Sequence, residues 1–184
     1  DIELLSSQVE RCNEILKRLT LNPVEEDEFI DKDLSMKDYL SEIISSFKEI
    51  SQKKFIFNHD QFSNQKKITK SIEIVYGLRN FIGNANKFSK ETIYITLKSD
   101  SEITEITIED DGNGYPKDVL SKIGEPYLRT KDPVEKSKTG LGLGLFIGKT
   151  LLEKNFASIN CRNSKTRSGA EVIIKWNNKD LFNI

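Results

Sequence analysis

Asp110 closes a run, Ile103–Glu109, in which apolar and polar residues alternate, and that parity decides where its carboxylate goes. In an extended strand Ile106, Ile108 and Asp110 project to one side, while Glu105, Glu109 and Asp111 project to the other. Asp110 is therefore expected to aim into a core, where an ionised carboxylate needs a strong donor. The 6-amino group of adenine is such a donor, and guanine's keto oxygen at the same place would repel the acid. Gly112 and Gly114 follow at once and allow a sharp turn and a close approach to a flat base. A hairpin-like turn accounts for the glycines equally well but leaves the inward acid unexplained.

Two further groups carry potential chemistry. The run Thr139-Gly140-Leu141-Gly142-Leu143-Gly144 sets three alternate glycines at the opening of an expected helix over residues 141–154. A helix N-terminus offers unpaired N–H groups and the positive end of the dipole, which suits phosphate. Neither the Walker nor the dinucleotide spacing is present. Tight helix packing is the alternative reading, although each glycine costs helix stability. The preceding loop, about 124–139, carries Arg129, Lys131, Lys136 and Lys138, either as a solvated charge run or as cations of a lid. On a helix expected over 70–89, Asn80, Asn84 and Lys87 recur at i, i+4 and i+7, opposite Val75, Leu78, Ile82 and Ala85. This stripe reads as a solvated face, or as hard amide oxygens for Mg²⁺ with Lys87 as a point charge for phosphate.

The elements that must hold these groups follow from periodicity. Residues 1–20 have a seam of Ile2, Leu5, Val9, Cys12, Leu16 and Leu19 at alternating steps of three and four. It suits a coiled-coil stem or an amphipathic helix lying on its own domain. Asn22-Pro23 and the acids Glu25 to Glu28 mark a linker. Ser35 is placed to cap a helix with Leu40, Ile43, Ile44, Phe47 and Ile50 on one side. Strands are expected at Phe55–Phe57, Thr92–Lys98, Ile103–Glu109, 157–162 and 170–176, with a short helix opening at Pro116. Three helices segregated from a mixed, mostly antiparallel sheet make an α+β, two-layer α/β sandwich with helices on one face, preceded by one stem helix.

The chain of 184 residues balances 28 Lys+Arg against 29 Asp+Glu, so nucleic acid is not expected as a partner. Its two cysteines, Cys12 and Cys161, have no metal-ligand spacing and suit a reducing compartment. No apolar run is long enough to cross a bilayer. The chain opens on Asp1, and the expectation is a piece of a longer protein whose upstream part could carry a membrane anchor.

Taken together, these segments resemble the catalytic domain of sensor histidine kinases, within the ATPase superfamily that includes gyrase, HSP90 and MutL. Asn80 to Phe88 resembles the N box, Asp110-Asp111-Gly112-Asn113-Gly114 the G1 box, and Gly140 to Ile147 the G2 box. Gly124-Glu125-Pro126-Tyr127-Leu128-Arg129 is similar to the F box, with Tyr127 where phenylalanine is usual. The resemblance implies ATP and Mg²⁺ as ligands: Asp110 reads adenine, Asn84 with Asn80 holds the metal, Lys87 supports the phosphates, and Phe88 contacts the nucleotide. It further implies Thr139, Gly140, Leu141, Gly142, Leu143 and Gly144 around the phosphates, with Arg129 and Lys131 from the lid. Gyrase-type and MutL-type relatives carry a general-base glutamate where Asn80 stands, and an amide cannot take a proton from water. Phosphoryl transfer is thus expected rather than hydrolysis.

Gln8-Val9-Glu10-Arg11-Cys12, Gly124 to Tyr127 and Gly140 to Thr150 are closer still to the RegB/PrrB-type redox-responsive kinases. That likeness makes residues 1–21 the second stem helix, 22–34 a linker and 35–184 the catalytic domain. It makes Cys12 either a redox switch in a dimer seam or a small packed residue. Implied partners are a phosphoacceptor histidine helix of the same protein or its dimer mate, and a response regulator receiver domain. The implied setting is the cytoplasmic side of a membrane-anchored bacterial sensor, homodimeric at full length. The phosphoacceptor motif itself is absent, and the one histidine, His59, follows a short strand. Asn155-Phe156-Ala157 stands where a glycine-rich turn is common. A clamp-type ATP hydrolase and a catalytically degenerate dimerising scaffold are the competing readings.

Overall fold

The computed structural model describes residues 34–60, 67–68, 71–126 and 143–182, all within one compact unit spanning Asp33–Ile184. The stem expected over 1–21, Cys12 with it, and the lid cations lie outside the described residues. In chain order the elements are β1 (Leu34–Ser35), α1 (Met36–Ile50), β2 (Lys54–His59), β3 (Lys67–Ile68) and α2 (Ile72–Phe88). They continue with β4 (Thr92–Ser99), β5 (Ile103–Asp110), α3 (Lys117–Leu120), α4 (Gly144–Lys154), β6 (Ser158–Asn163), β7 (Ala170–Asn177) and α5 (Asn178–Leu181).

Five strands form one sheet in the order β2-β4-β5-β7-β6. Only β2 and β4 are parallel; the other neighbours are antiparallel. Alternation divides its faces. Ile93, Ile95, Leu97, Ile106, Ile108, Val172, Ile174 and Trp176 are buried on the inner side. The outer side is polar, with Lys175 paired to Glu105 at 2.7 Å, Arg167 to Glu109 at 3.5 Å, and Arg167 also lying over the Tyr94 ring. The helices cover the inner face, which is the two-layer α+β arrangement that the sequence predicts.

α1 begins where Ser35 predicts. Its hydroxyl accepts from the N–H of Asp38 at 3.2 Å while the Asp38 carboxylate accepts from the N–H of Ser35 at 3.1 Å, a reciprocal capping box. Leu40, Ile43, Ile44 and Phe47 are buried as their spacing requires, but Ile50 is 73% exposed. It is the last helical residue, and the chain turns into extended conformation at Ser51, so the apolar period outruns the surface it covers.

α2 runs through the middle of the helical layer, touching α1, α4 and β5. Val75, Leu78, Ile82 and Ala85 are buried as expected, and Gly77, Arg79 and Phe81 with them, because two helices rather than one flank this element. The approach of α4 to α2 depends on glycine. A Cβ at Gly148 would stand 3.0 Å from Phe81 Cε2 and 3.1 Å from Asn80 Cβ, and one at Gly77 would overlap the Leu152 side chain. Phe156, in the turn after α4, has φ +62° and is 65% exposed. Asn155 secures that turn: its side-chain oxygen accepts from Ser71 Oγ at 3.0 Å and its carbonyl from Trp176 Nε1 at 3.0 Å. The ribbon of β1 and β3 and the short α5 have no counterpart in the sequence reading. Among the described residues no helix is long and apolar enough to cross a membrane.

Candidate functional site

Asp110 ends β5 with only 3% of its surface exposed. Its Oδ1 accepts two backbone N–H bonds, from Gly112 at 2.8 Å and from Ala170 at 3.2 Å. Among the described residues no donor reaches Oδ2, so one oxygen is anchored and the other is left for a ligand. Burial pushes this carboxyl above the usual aspartate range, with Asp111 adding to the rise, while the two N–H bonds and the Lys53 cation act the other way. The backbone around it is crowded to the point of excluding side chains. A Cβ at Gly112 would overlap the carbonyl of Phe88 and come within 2.7 Å of Asp110 Oδ1; one at Gly169 would overlap the backbone of Asp110 itself. Gly112 therefore fits the exit of α2 against the end of β5, a packing role that turn chemistry alone does not require. Gly114 has φ +75°, where glycine has no steric penalty.

Asn163 on β6 holds the turn beyond. Its Oδ1 accepts from the N–H of Tyr115 at 2.6 Å and its Nδ2 donates to the Tyr115 carbonyl at 3.1 Å, as a neighbouring strand would. The Tyr115 phenol is buried and the Cys161 thiol half-buried, and desolvation raises both; Cys161 is pushed up to about 11.

The stripe on α2 lies along the α4 side. Asn80 Nδ2 donates to the Tyr76 carbonyl at 2.8 Å, one turn back in its own helix, which leaves Oδ1 pointing outward. A Cβ on Gly144 would stand 3.5 Å from that oxygen, so Asn80 and the first turn of α4 share one wall. Asn84 is half-buried, Lys87 is exposed with Nζ 5.7 Å from the centre of the Phe88 ring, and Phe88 is half-buried at the end of the helix. α4 opens at Leu143 with no side-chain cap and no acid in its first turn. Its leading N–H groups are of the kind that anions satisfy.

The structure thus assembles Asn80 with Gly144 at the middle of α2, and Phe88 with Gly112 and Asp110 at its C-terminal end. Asn84 and Lys87 lie between. Thr139, Gly140, Leu141, Gly142, Arg129 and Lys131 fall outside the described residues. Four positions escaped the sequence reading. Gly169 and Ala170 reach Asp110 from β7, and no local pattern links them. Asn163 acts across 48 residues. The fourth is Asp111, whose two oxygens accept from the N–H groups of Lys90 (2.7 Å), Glu91 (3.1 Å) and Thr92 (2.9 Å). Strand parity had pointed it outward, but only the fold shows what waits there. A buried acid, two amides and a cation thus follow one another along α2 towards an uncapped helix start. Such a set has the chemistry to hold a purine at the acid and phosphates with a hard cation at the amides.

Residues 69–180 match the family model described as "Histidine kinase-, DNA gyrase B-, and HSP90-like ATPase". The chain is 31% identical over 200 residues to the sensor histidine kinase RegB of Cereibacter sphaeroides, an alignment covering 96% of this chain and 42% of that protein. It therefore spans about two fifths of that relative's length. Over 78 residues it is 35% identical to sporulation kinase A of Bacillus subtilis, covering 41% of this chain and 12% of that one. Among solved structures, the catalytic domain of the histidine kinase ThkA superposes with a TM-score of 0.64 at 22% identity, covering 78% of this chain and 95% of that one. Full-length ShkA in complex with AMPPNP gives a TM-score of 0.64 at 18% identity, covering 79% of this chain and 30% of that one. These two similarities establish the fold.

Proposed function

Because the chain belongs to the histidine kinase-, DNA gyrase B- and HSP90-like ATPase family, we propose that it is the catalytic part of a two-component sensor histidine kinase. It binds ATP with Mg²⁺ and passes the γ-phosphoryl group to a histidine on a stem helix, and from there to a response regulator receiver domain. Residues 1–21 supply part of the stem, 22–34 the linker and 35–184 the catalytic domain. The full-length protein is a homodimer whose kinase portion lies on the cytoplasmic side of a membrane-anchored bacterial sensor. The likeness to RegB over 96% of the chain supports this organisation, and supports Cys12 as a redox-responsive thiol in the dimer seam.

The observation that carries the reading is the buried Asp110 carboxylate, tied through Oδ1 and open at Oδ2. An exocyclic amine at Oδ2 would complete its acceptor capacity and offset the cost of burying its charge. Asn84 and Asn80 would hold Mg²⁺ through amide oxygens, the hard donors that ion prefers, and Asn80 has its nitrogen already committed to the Tyr76 carbonyl. When bound, the ion supplies charge neutralisation across the phosphate oxygens. Lys87 adds a cation beside it, and the opening of α4 adds N–H groups at Leu143 and Gly144, extended by Thr139, Gly140, Leu141 and Gly142. Arg129 and Lys131 close over the phosphates. At the place where a hydrolase needs a base, Asn80 offers an amide, so water is not activated and the phosphoryl group waits for a better nucleophile.

The direct test mixes this chain with a separate histidine-bearing stem and ATP labelled in the γ position. Label should move to the stem, in an acid-labile and alkali-stable form. Release of free phosphate with an unlabelled stem would instead indicate an ATP-hydrolysing relative, and nucleotide binding with neither product a degenerate scaffold.

A further inference from the structure

The exit of α2 is held by two side chains of opposite charge that come from other elements. Lys53, just before β2, donates through Nζ to the carbonyl of Asn86 and to that of Ser89 at 2.6 Å. Those are end-of-helix carbonyls, which lack partners within the helix and carry the negative pole of its dipole. A residue later the polarity of the exposed backbone reverses. Lys90, Glu91 and Thr92 turn three successive N–H groups toward one point, and the Asp111 carboxylate occupies it. Ser51 adds a third tie, its hydroxyl donating to Asn86 Oδ1 at 2.7 Å. Segment 86–92 is thus fixed from both sides, its carbonyls by a cation and its N–H groups by an anion.

Segment 86–92 is the part of the chain that joins the C-terminal end of α2 to β4, whose Ile93 pairs with Asp110. Lys87 and, one turn earlier, Asn84 lie on it or just before it. The Phe88 carbonyl lies where no Cβ at Gly112 could fit, so its position also fixes the turn after Asp110. Asp110 and Asp111 are consecutive and face opposite ways, so one dipeptide carries both the base-reading acid and the anion that anchors α2.

We infer that Lys53 and Asp111 are positioning residues, an opposite-charge latch that sets the span between Asp110 and the metal- and phosphate-binding Asn84 and Lys87. This rests on the nucleotide-binding reading above and deepens it. Neither residue touches ATP. Their effect falls on ligands that must reach Asp110 and the Asn84–Lys87 stretch at once, and spares a ligand that needs Asp110 alone.

The test compares Mg-ATP with adenosine as ligands of the 184-residue chain, by titration of the wild type and of K53M, K53R, D111A and D111N, each checked for a cooperative melt. K53M and D111A should weaken Mg-ATP by roughly tenfold, the loss expected when charge-assisted hydrogen bonds that hold geometry are removed. At neutral or mildly alkaline pH, where Asp110 is ionised without help from Lys53, adenosine should change by less than about threefold, since the bonds to Asp110 Oδ1 are untouched. K53R keeps a cation able to serve two carbonyls and should restore Mg-ATP affinity. Should D111A fail to fold, D111N keeps the shape and one acceptor oxygen, and should show the same split at smaller size. Parallel losses for both ligands, or full Mg-ATP affinity in K53M and D111A, would overturn the latch while leaving the function standing. A wild-type chain that bound no adenine nucleotide would remove both.

Discussion

A buried acid next to a half-buried acid that holds three backbone N–H groups is where this chain commits itself chemically. Asp110 is pushed above the usual aspartate range by burial, and only its ionised form accepts from an amine at Oδ2. Affinity for ATP should therefore fall on acidification at a higher pH than an unperturbed aspartate would give, as calorimetric titration across pH can show. The stability consequence has the opposite sense. A carboxyl whose folded pKa is raised binds its proton more tightly in the folded state, so its favourable contribution is present at low pH and lost as pH rises through that value. Asp110→Asn should then melt no lower than the wild type at neutral pH, by circular dichroism, while losing the nucleotide. Asp111 is held below the usual range by the N–H groups of residues 90–92, against a desolvation that pushes it up. Its contribution is present above the ordinary aspartate value and is lost as pH falls through the folded one. Cys161 offers a third test at this scale. Burial pushes its thiol up to about 11, so its thiolate fraction at neutral pH is about a hundredfold below that of an ordinary thiol. Alkylation with iodoacetamide, followed by mass spectrometry, should leave Cys161 unmodified after an exposed model thiol has reacted fully. The inward direction of Asp110 was legible because strand alternation is strict. Its partners were not, since Gly112 is adjacent but Ala170 arrives from 60 residues away.

Elements are placed by what they lack as much as by what they carry. α2 and α4 meet through Gly77 and Gly148, and that contact brings Asn80 alongside Gly144. Gly148→Val would force its branched side chain onto Phe81 and Asn80. The expected cost is about 1–3 kcal/mol of stability, with weaker Mg-ATP binding, read from denaturant melts and titration. Phe156 is a case in the other direction. At φ +62° a side chain is disfavoured by about 1–2 kcal/mol, and this one is 65% exposed and adds little packing. Part of the gain from glycine is lost to its greater freedom in the unfolded chain. Phe156→Gly should still raise the midpoint of thermal unfolding by a few degrees, and an unchanged or lower midpoint would mean that the ring has a partner. Periodicity located α1, α2 and the strands of the main sheet because each is long enough to show its repeat. β1 and β3, two residues each, are too short to show one, and their pairing is dictated by the path of the chain into α1 and α2.

At the scale of the whole molecule, the sheet and helical layer bring together described parts of boxes that are far apart in sequence, Phe88 with Gly112 and Asn80 with Gly144, within the residues 69–180 that match the family. What sequence alone carried was the identity of the ends: an acid at the close of a strand, glycines at the start of a helix, and an amide where a hydrolase keeps a base. The proposed latch uses charges with no assigned contact to ligand, Lys53 outside the motifs and Asp111 within the G1 box, whose neighbours only a folded chain brings together. On the proposed function, Asp110 reads the exocyclic amine of adenine. Calorimetric titration of the wild-type chain with Mg-ATP and with Mg-GTP, and of Asp110→Asn with Mg-ATP, tests it most directly. ATP should bind saturably, GTP should not bind measurably, and the folded variant should lose ATP binding. Equal affinity for the two nucleotides, or an Asp110→Asn chain that binds ATP as the wild type does, would contradict it.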